Sequence, residues 1–173
     1  FDENGVMRKE IVGKSAQIVG AQLGLTLPEN IEVILVKVDV SGTGDVLCRE
    51  KMCPVIGIKT YGLFEEAVQI AQDNLEVEGK GHSVAIHSHN NEHLAYAGER
   101  LTVSRLLVNQ ICATMNGGSF QNVLAPTTTL GCGSWGNNSI SENLDYTHLI
   151  NISRIAKVIE GAGQPSDDEI WSD

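Results

Sequence analysis

Apolar positions along the first half of the chain follow helical and strand periods in turn. Helical spacing over residues 12–23 predicts a helix that ends at Gly24, a residue suited to a helix C-terminus. The apolar run over 31–38 predicts a buried strand, and residues 54–61 predict a second strand. Helical spacing returns over residues 64–75, so a helix is predicted to follow the second strand.

The alternation continues through the middle of the chain. Residues 84–87 predict a short strand, Asn90 is suited to cap a helix that runs to Leu101, and residues 102–109 predict a further strand. Strands separated by single helices indicate βαβ units with right-handed crossovers. We therefore predict the α/β fold class, as a three-layer αβα arrangement with a mostly parallel sheet.

The last third of the chain follows a different pattern. Residues 116–119 and 130–136 are dense in glycine, and long loops inside a compact domain are usually functional. Apolar alternation over residues 149–158 predicts a final strand. The polar, acidic residues 161–173 are expected to be loosely held unless their isoleucine and tryptophan dock on the rest of the chain.

Composition and charge exclude several classes of protein. Of the 173 residues, 42% are apolar and 20% are charged, which fits one folded domain or a large piece of a longer protein and argues against global disorder. The net charge of −10 disfavours general binding to nucleic-acid phosphates, and no apolar run approaches the roughly 20 residues that span a bilayer. The sequence opens on Phe1 without an initiator methionine, so we expect a segment cut from a longer protein. Residues 1–10 carry four charges and no apolar run, so they are not expected to be a signal peptide.

The cysteines and histidines form no recognisable motif by spacing. Cys48, Cys53, Cys112 and Cys132 form no Cys-x-x-Cys pair, and so cysteine-poor a chain is not expected to have a disulfide framework. We therefore predict reduced thiols and a cytoplasmic protein. The histidines between residues 82 and 93 lack the spacing of a zinc motif, and we predict no metal site.

Three residues stand where their chemistry can be used. Glu50 precedes a predicted strand, where a carboxylate can accept hydrogen bonds from ribose hydroxyls or remain a solvated charge. His82 follows two glycines, and it can transfer a proton or be an ordinary surface residue of a turn. Cys132 lies between two glycines and is by context the most exposed candidate nucleophile, although a structural role is the simpler interpretation.

Several segments, in order along the chain, resemble the CoA-acylating branch of the aldehyde dehydrogenase family. They are residues 45–55 around Glu50, the Gly-Lys-Gly-His turn at 79–83, residues 104–109, the glycine-rich run at 127–143, and residues 146–151. The resemblance extends from residue 13 to about residue 156. Within the branch, the sequence is most similar to the CoA-dependent succinate-semialdehyde dehydrogenases.

The resemblance implies a fold of the aldehyde dehydrogenase catalytic-domain type and a reaction. Residues 1–160 are implied to be part of that domain, followed by an acidic tail at 161–173. In this family a cysteine attacks the aldehyde, hydride passes to NAD or NADP, and coenzyme A takes up the acyl group as a thioester. The implied substrates are succinate semialdehyde and succinyl-CoA. The implied assembly is a homodimer or larger homo-oligomer, with no nucleic-acid or membrane partner.

Site residues are implied only where the family's motifs match this sequence. Glu50 matches the glutamate that holds the nicotinamide ribose, Met52 the side chain against the nicotinamide ring, and His82 the histidine near the thioester. Asn109 and residues 131–136 are implied to form the wall of the substrate funnel. A cation for a substrate carboxylate is expected among three residues, namely Lys80, Arg100 and Arg105. The family's nucleophilic cysteine lies upstream of residue 13, so the chain alone is expected to be inactive.

Other interpretations remain open. The same chemistry can serve another short aldehyde, as in bifunctional aldehyde–alcohol dehydrogenases. The chain can instead be a non-catalytic assembly module, because residues 146–158 resemble a strand that joins a partner subunit's sheet. A self-contained thiol enzyme that uses Cys132 with His82 is the third alternative.

Overall fold

Helices and strands alternate in the computed structural model, which describes residues 1–171. The helices are α1 (Ala16–Gln22), α2 (Phe64–Val77), α3 (Asn91–Arg100), α4 (Cys112–Met115) and α5 (Asp167–Ile170); the strands are β1 (Ile34–Lys37), β2 (Val55–Ile58), β3 (Gly81–Ile86) and β4 (Val103–Val108). Every strand and helix predicted between residues 31 and 109 is present, and the α/β class is confirmed. None of the described helices has the length and apolar character that crossing a bilayer requires.

The four strands form two parallel pairs. β1 pairs with β2, with Ile34 opposite Val55, and β3 pairs with β4, with Gly81 opposite Val103. α2 connects β2 to β3 and α3 connects β3 to β4, as expected for parallel strands. Across residues 1–171 no strand joins β2 to β3, so the two pairs are separate two-stranded sheets with an opening between them.

The apolar core lies between α2, α3 and one face of the β3–β4 pair. Val68, Ala97 and Leu101 are buried at its centre. The partly buried residues packed around them are Phe64, Ala71, Leu75, Val84, Ile86, Tyr96, Val103 and Leu106. Asn90 caps α3 as predicted, since its Oδ1 accepts a hydrogen bond from the Glu92 N–H at 2.9 Å.

Loops cover most of the other face of the β3–β4 pair. α4 and a 3-10 turn at Ser134–Gly136 contact β3. The glycine-rich loop, residues 130–143, folds back on itself: the Gly131 N–H donates to the Glu142 carbonyl at 2.9 Å. Gly81 has a φ of +78°, and a Cβ at this position would overlap the carbonyl oxygen of Cys132. Glycine at residue 81 therefore allows the loop to approach the start of β3.

The final strand predicted at residues 149–158 does not form within this chain. These residues pair with no strand in the described chain, and Ile155 and Val158 are 89% and 92% exposed. Apolar alternation specifies a strand only where a neighbouring strand satisfies its backbone groups, and none is adjacent. Further along, Ser166 and Glu169 form a capping box on the single turn of α5, but Trp171 remains 78% exposed.

Candidate active site

The opening between β2 and β3 forms a cavity of about 670 Å³. Ala71 and Leu75 of α2 contribute to its apolar lining, and Glu50 and His82 are among its polar residues. A cavity with apolar walls and a few polar groups is typical of a ligand site. The fold thus brings together two residues that the sequence motifs place far apart along the chain.

The backbone around Glu50 is held from two sides. Asp45 caps a 3-10 turn at Val46–Cys48 by accepting a hydrogen bond from the Leu47 N–H at 2.8 Å. The Glu50 N–H donates to Oε2 of Glu78, the residue that ends α2, at 2.6 Å. The Glu50 carboxylate is exposed and makes no hydrogen bond within residues 1–171. Its oxygens can therefore accept hydrogen bonds from the hydroxyl groups of a ligand.

His82 is the second residue of β3, and its ring is exposed at the cavity. Its N–H donates to the Gly79 carbonyl at 2.9 Å, and its carbonyl accepts from Nη2 of Arg105 at 3.4 Å. Both restraints act on the backbone, and within residues 1–171 the imidazole makes no hydrogen bond of its own. Among residues 1–171, no group of three potential metal ligands is present.

Met52 lies two residues after Glu50 but is not among the residues that line the cavity. Its side chain is 60% exposed. Its backbone carbonyl accepts a hydrogen bond from the Gly13 N–H at 2.7 Å, so the N-terminal segment holds it in place. Met52 is therefore close to Glu50 in sequence but lies outside the cavity that Glu50 and His82 share.

Two of the four thiols, those of Cys132 and Cys112, do not have the environment of an activated nucleophile. Cys132 is only 8% exposed, so the prediction that it is the most exposed thiol is wrong. The glycines beside it and Gly81 opposite allow close packing, which buries the sulfur instead of presenting it. Burial raises the pKa of the Cys112 thiol, and the nearby positive charge of Arg105 opposes this only in part. Neither observation favours a self-contained thiol enzyme that uses Cys132 with His82.

The three cations predicted for a substrate carboxylate are engaged elsewhere. Lys80 Nζ lies 2.6 Å from Oε2 of Glu76. The Arg100 guanidinium stacks over the Tyr96 ring at 3.7 Å. Arg105 is buried, with only 4% of its surface exposed. These three residues do not line the cavity.

Two cations that the sequence reasoning missed do line the cavity. Arg49 and Lys51 flank Glu50 in sequence, and both contribute to the cavity wall. Arg49 Nη1 donates to the Gly5 carbonyl at 3.1 Å, and Lys51 Nζ donates to the Arg49 carbonyl at 2.9 Å. Glu50 is the residue predicted to bind a ribose, and the positions of these two cations on either side of it were the signal that could have identified them.

The two parts of the predicted funnel wall lie at opposite ends of the β3–β4 pair. Asn109 follows β4, where its side chain bonds to the backbone N–H and carbonyl of Ser88, both at 3.0 Å. The glycine-rich loop packs near Gly81, at the start of β3. Only the loop is therefore near His82.

No family model matches the chain. Two curated relatives nevertheless carry the names of aldehyde dehydrogenases. The chain is 54% identical over 169 residues to the acetylating succinate-semialdehyde dehydrogenase of Clostridium kluyveri, covering 98% of this chain and 37% of the relative. It is 38% identical over 163 residues to the sulfoacetaldehyde dehydrogenase of an Acholeplasma species, covering 94% of this chain and 34% of the relative.

A solved structure agrees with the same assignment. The crystal structure of a probable aldehyde dehydrogenase from Listeria monocytogenes EGD-e matches with a TM-score of 0.83 at 36% identity, covering 98% of this chain and 36% of that chain. The resemblance read from the motifs is thus confirmed: over nearly its whole length the chain is similar to a part of these aldehyde dehydrogenases, in sequence and in fold. The chain spans about a third of the length of the curated relatives it matches.

Proposed function

Because the chain matches the CoA-acylating aldehyde dehydrogenases along nearly its whole length, we propose that it forms part of the catalytic domain of such an enzyme. The proposed reaction is the reversible conversion of succinate semialdehyde and coenzyme A to succinyl-CoA, with NAD or NADP. One observation carries the proposal: Glu50 and His82, which match family motifs, line the same cavity. The names of the two relatives, a succinate-semialdehyde and a sulfoacetaldehyde dehydrogenase, support a short aldehyde with an anionic group as the substrate class.

Glu50 and Met52 are proposed to hold the nicotinamide cofactor. When bound, NAD or NADP supplies the hydride acceptor. The Glu50 carboxylate fits a ribose, because its oxygens are free and the hydrogen bond of 2.6 Å to Glu78 fixes its backbone. Met52 offers an exposed apolar side chain two residues further on, which suits contact with an aromatic ring.

His82 is proposed as the catalytic residue of this segment. Its exposed ring lines the cavity. A neutral imidazole can take the proton from a thiol as coenzyme A attacks a thioester, and it can return that proton in the reverse direction. The two backbone hydrogen bonds at 2.9 and 3.4 Å keep the residue at the start of β3 during this exchange.

The relatives are about three times as long as this chain. We propose that the nucleophilic cysteine and the main cofactor domain belong to the part of the enzyme that this chain does not include. The burial of Cys132 and the raised pKa of Cys112 support this assignment. In the same proposal, residues 1–160 belong to the catalytic domain and residues 161–173 are an acidic tail. Four free cysteines in the chain support a reducing compartment, so the cytoplasm is the proposed location.

A coupled assay of succinyl-CoA reduction with NADPH or NADH tests the proposal. It compares the chain alone with a longer protein that contains it, and activity is expected only in the longer protein. In that protein, His82→Ala is expected to lower kcat by about 100-fold or more, the range of general acid–base catalysis. Glu50→Gln is expected to raise the KM for the nicotinamide cofactor, because the neutral amide is a weaker acceptor for ribose hydroxyls.

Matched controls separate a local effect from a general one. Glu92→Gln and His89→Ala change exposed residues outside the cavity, and both should leave activity unchanged. Activity in the short chain alone would overturn the proposed position of the nucleophile. A neutral aldehyde of similar length that reacts as well as succinate semialdehyde would support the alternative of an acetaldehyde-type enzyme.

A second role, in assembly, is favoured by the exposed residues of the segment 146–158. Ile152, Ile155 and Val158 are 59%, 89% and 92% exposed, and apolar residues this exposed mark interaction surfaces. We propose that the segment adds a strand to the sheet of a second subunit, giving a homodimer or larger homo-oligomer. In sedimentation experiments on the longer protein, the Ile155→Lys variant should become monomeric. The Arg154→Ala variant should remain associated. Unchanged association of the Ile155→Lys variant would contradict this role.

A further inference from the structure

Arg105 carries a buried charge that the proposed reaction does not use. Its side chain is 4% exposed, and Asn143, at 6%, is the other buried polar residue of the described chain. Burying a guanidinium is unfavourable unless its N–H groups are hydrogen-bonded or paired with an acid. Within residues 1–171, Arg105 forms no ion pair. Neutral acceptors must therefore compensate its charge.

Four hydrogen bonds from the guanidinium provide this compensation. Nε donates to the Ser83 hydroxyl at 3.0 Å, and Nη2 donates to the carbonyls of Gly131 at 2.7 Å and His82 at 3.4 Å. Nη1 donates to Oδ1 of Asn143 at 3.3 Å. One side chain of β4 thus joins β3 to both ends of the glycine-rich loop.

Asn143 extends the network to two further loop segments. Its Nδ2 donates to the carbonyl of Asn116 at 3.0 Å and to that of Ala125 at 2.8 Å. Because these acceptors are backbone carbonyls, the bonds restrain the path of the chain itself. Together, Arg105 and Asn143 tie three loop segments to the β3–β4 pair.

The glycine-rich loop has no equivalent tie elsewhere in the described chain. Its bonds from Gly131 to Glu142 and from Gly133 to Ile140, both 2.9 Å, lie inside the loop and set only its own shape. In the part of the chain that the structure describes, the hydrogen bonds that join it to β3 or β4 come from Arg105. Without this side chain, packing around Cys132 would have to hold the loop on the sheet.

We propose that Arg105 is a positioning residue that fixes the glycine-rich loop beside His82, rather than a ligand for the carboxylate of the substrate. The same guanidinium binds the Gly131 carbonyl of the loop and the His82 carbonyl, so the two move together. Loss of Arg105 frees both. The effect on His82 rests on the proposed function, whereas the fixation of the loop does not.

Cys132 reports on the position of the loop, because its thiol is buried at 8% exposure. In the longer protein and in this chain, we expect Arg105→Met to raise the iodoacetamide labelling rate of Cys132 by about tenfold or more, since local opening exposes the sulfur. The labelling rates of Cys48 and Cys53 should not change. Arg105→Lys retains the charge but cannot reach four acceptors, so an intermediate rise is expected.

Two further variants keep the test decisive. Arg100→Met removes an exposed arginine and should leave Cys132 labelling unchanged. Asn143→Ala removes the other half of the network without removing a charge, and it should raise Cys132 labelling selectively even if Arg105→Met unfolds the protein. Unchanged Cys132 labelling in folded variants, or an equal rise at all four cysteines in both variants, would overturn the proposal.

Kinetics in the longer protein distinguish positioning from substrate binding. Arg105→Lys is expected to lower kcat to the same extent for succinate semialdehyde and for a neutral aldehyde, with both KM values unchanged. A rise in KM confined to the carboxylate-bearing aldehyde would show that Arg105 binds the substrate. If the longer protein without substitutions does not act on either aldehyde, the proposed function fails. The labelling result still decides whether Arg105 fixes the loop.

Discussion

The two parallel strand pairs share a hydrogen-bonding pattern but differ in their surroundings. In the β3–β4 pair, Arg105 and Leu107 are buried, with helices on one face and the glycine-rich loop on the other. In the β1–β2 pair no residue is buried, and Leu35 and Ile56 are 61% and 51% exposed. Strand pairing alone therefore does not make a core. This chain supplies both covering layers for one pair and leaves an apolar face of the other open.

The largest expected effect comes from truncating matched leucines in the two pairs. Leu107 of β4 is 3% exposed, and Leu107→Ala should lower the free energy of unfolding by about 3 kcal/mol, because it leaves a cavity at a buried position. Leu35 of β1 is 61% exposed, and Leu35→Ala should cost less than about 1 kcal/mol. Urea unfolding of the two variants measures both values. Equal costs would show that the two pairs are equally supported and remove the basis of the comparison.

A second prediction concerns the contact between β3 and the glycine-rich loop. Gly79 and Gly81 both have positive φ, +95° and +78°, so alanine at either is strained by about 1 kcal/mol. A Cβ at Gly79 has ordinary space, 3.8 Å from Leu75 Cδ2, whereas a Cβ at Gly81 overlaps the carbonyl of Cys132. Gly81→Ala should therefore cost about 2 kcal/mol more than Gly79→Ala in thermal or urea unfolding. Similar costs for the two variants would mean that the loop yields easily at this point.

The sequence predicted the βαβ part of the chain well, because its periodicity and its packing agree. Phe64, Val68 and Leu75 recur at helical spacing, and that face of α2 meets the core. Residues 149–158 have similar alternation but no neighbouring strand in the described chain, so the predicted strand does not form within this chain. Periodicity indicates which residues of an element can be buried. It does not indicate whether another strand, helix or loop packs against them.

The candidate site was predictable only where a motif named its residues. The motifs of Glu50 and His82 indicated both residues, and the fold places both at one cavity. The role of Arg105 could not be read from the sequence, since its partners include backbone carbonyls of loops whose path no periodic pattern specifies. Cys132 was expected to be exposed because glycines flank it, but the same glycines permit the close packing that buries it.

A smaller effect is expected at the helix that covers the β3–β4 pair. Asn90 Oδ1 accepts the Glu92 N–H at 2.9 Å, so Asn90→Ala should lower the free energy of unfolding by about 1 kcal/mol through loss of the N-cap. Asn91→Ala changes the adjacent exposed amide, which is the first residue of α3, and should have little effect. Circular dichroism during urea unfolding measures the difference. If the two variants unfold alike, the cap does not contribute to the stability of this pair.

The smallest effect is expected at Asp145. This residue lies between the loops that Arg105 and Asn143 hold and the exposed segment that follows them. Its side chain accepts the Thr147 N–H at 2.8 Å and caps the 3-10 turn at Tyr146–Leu149. Hydrogen bonds from the side chain and backbone of Thr147, followed by the contact with His148, lower the pKa of Asp145. Because the folded pKa lies below the unfolded one, the cap contributes fully above the ordinary pKa of an aspartate and is lost as pH falls through the lowered value.

Acidification should therefore release this turn while the β3–β4 pair remains folded. An NMR titration should show the Thr147 amide signal moving together with the Asp145 carboxyl signal, while the amides of β4 stay unchanged. In Asp145→Asn the cap keeps its acceptor oxygen and cannot titrate, so the Thr147 signal should become independent of pH in the acid range. If it still titrates, the Asp145 carboxylate is not the group that controls the turn. If the β4 amides move with it, the turn is part of the well-packed pair and not its boundary.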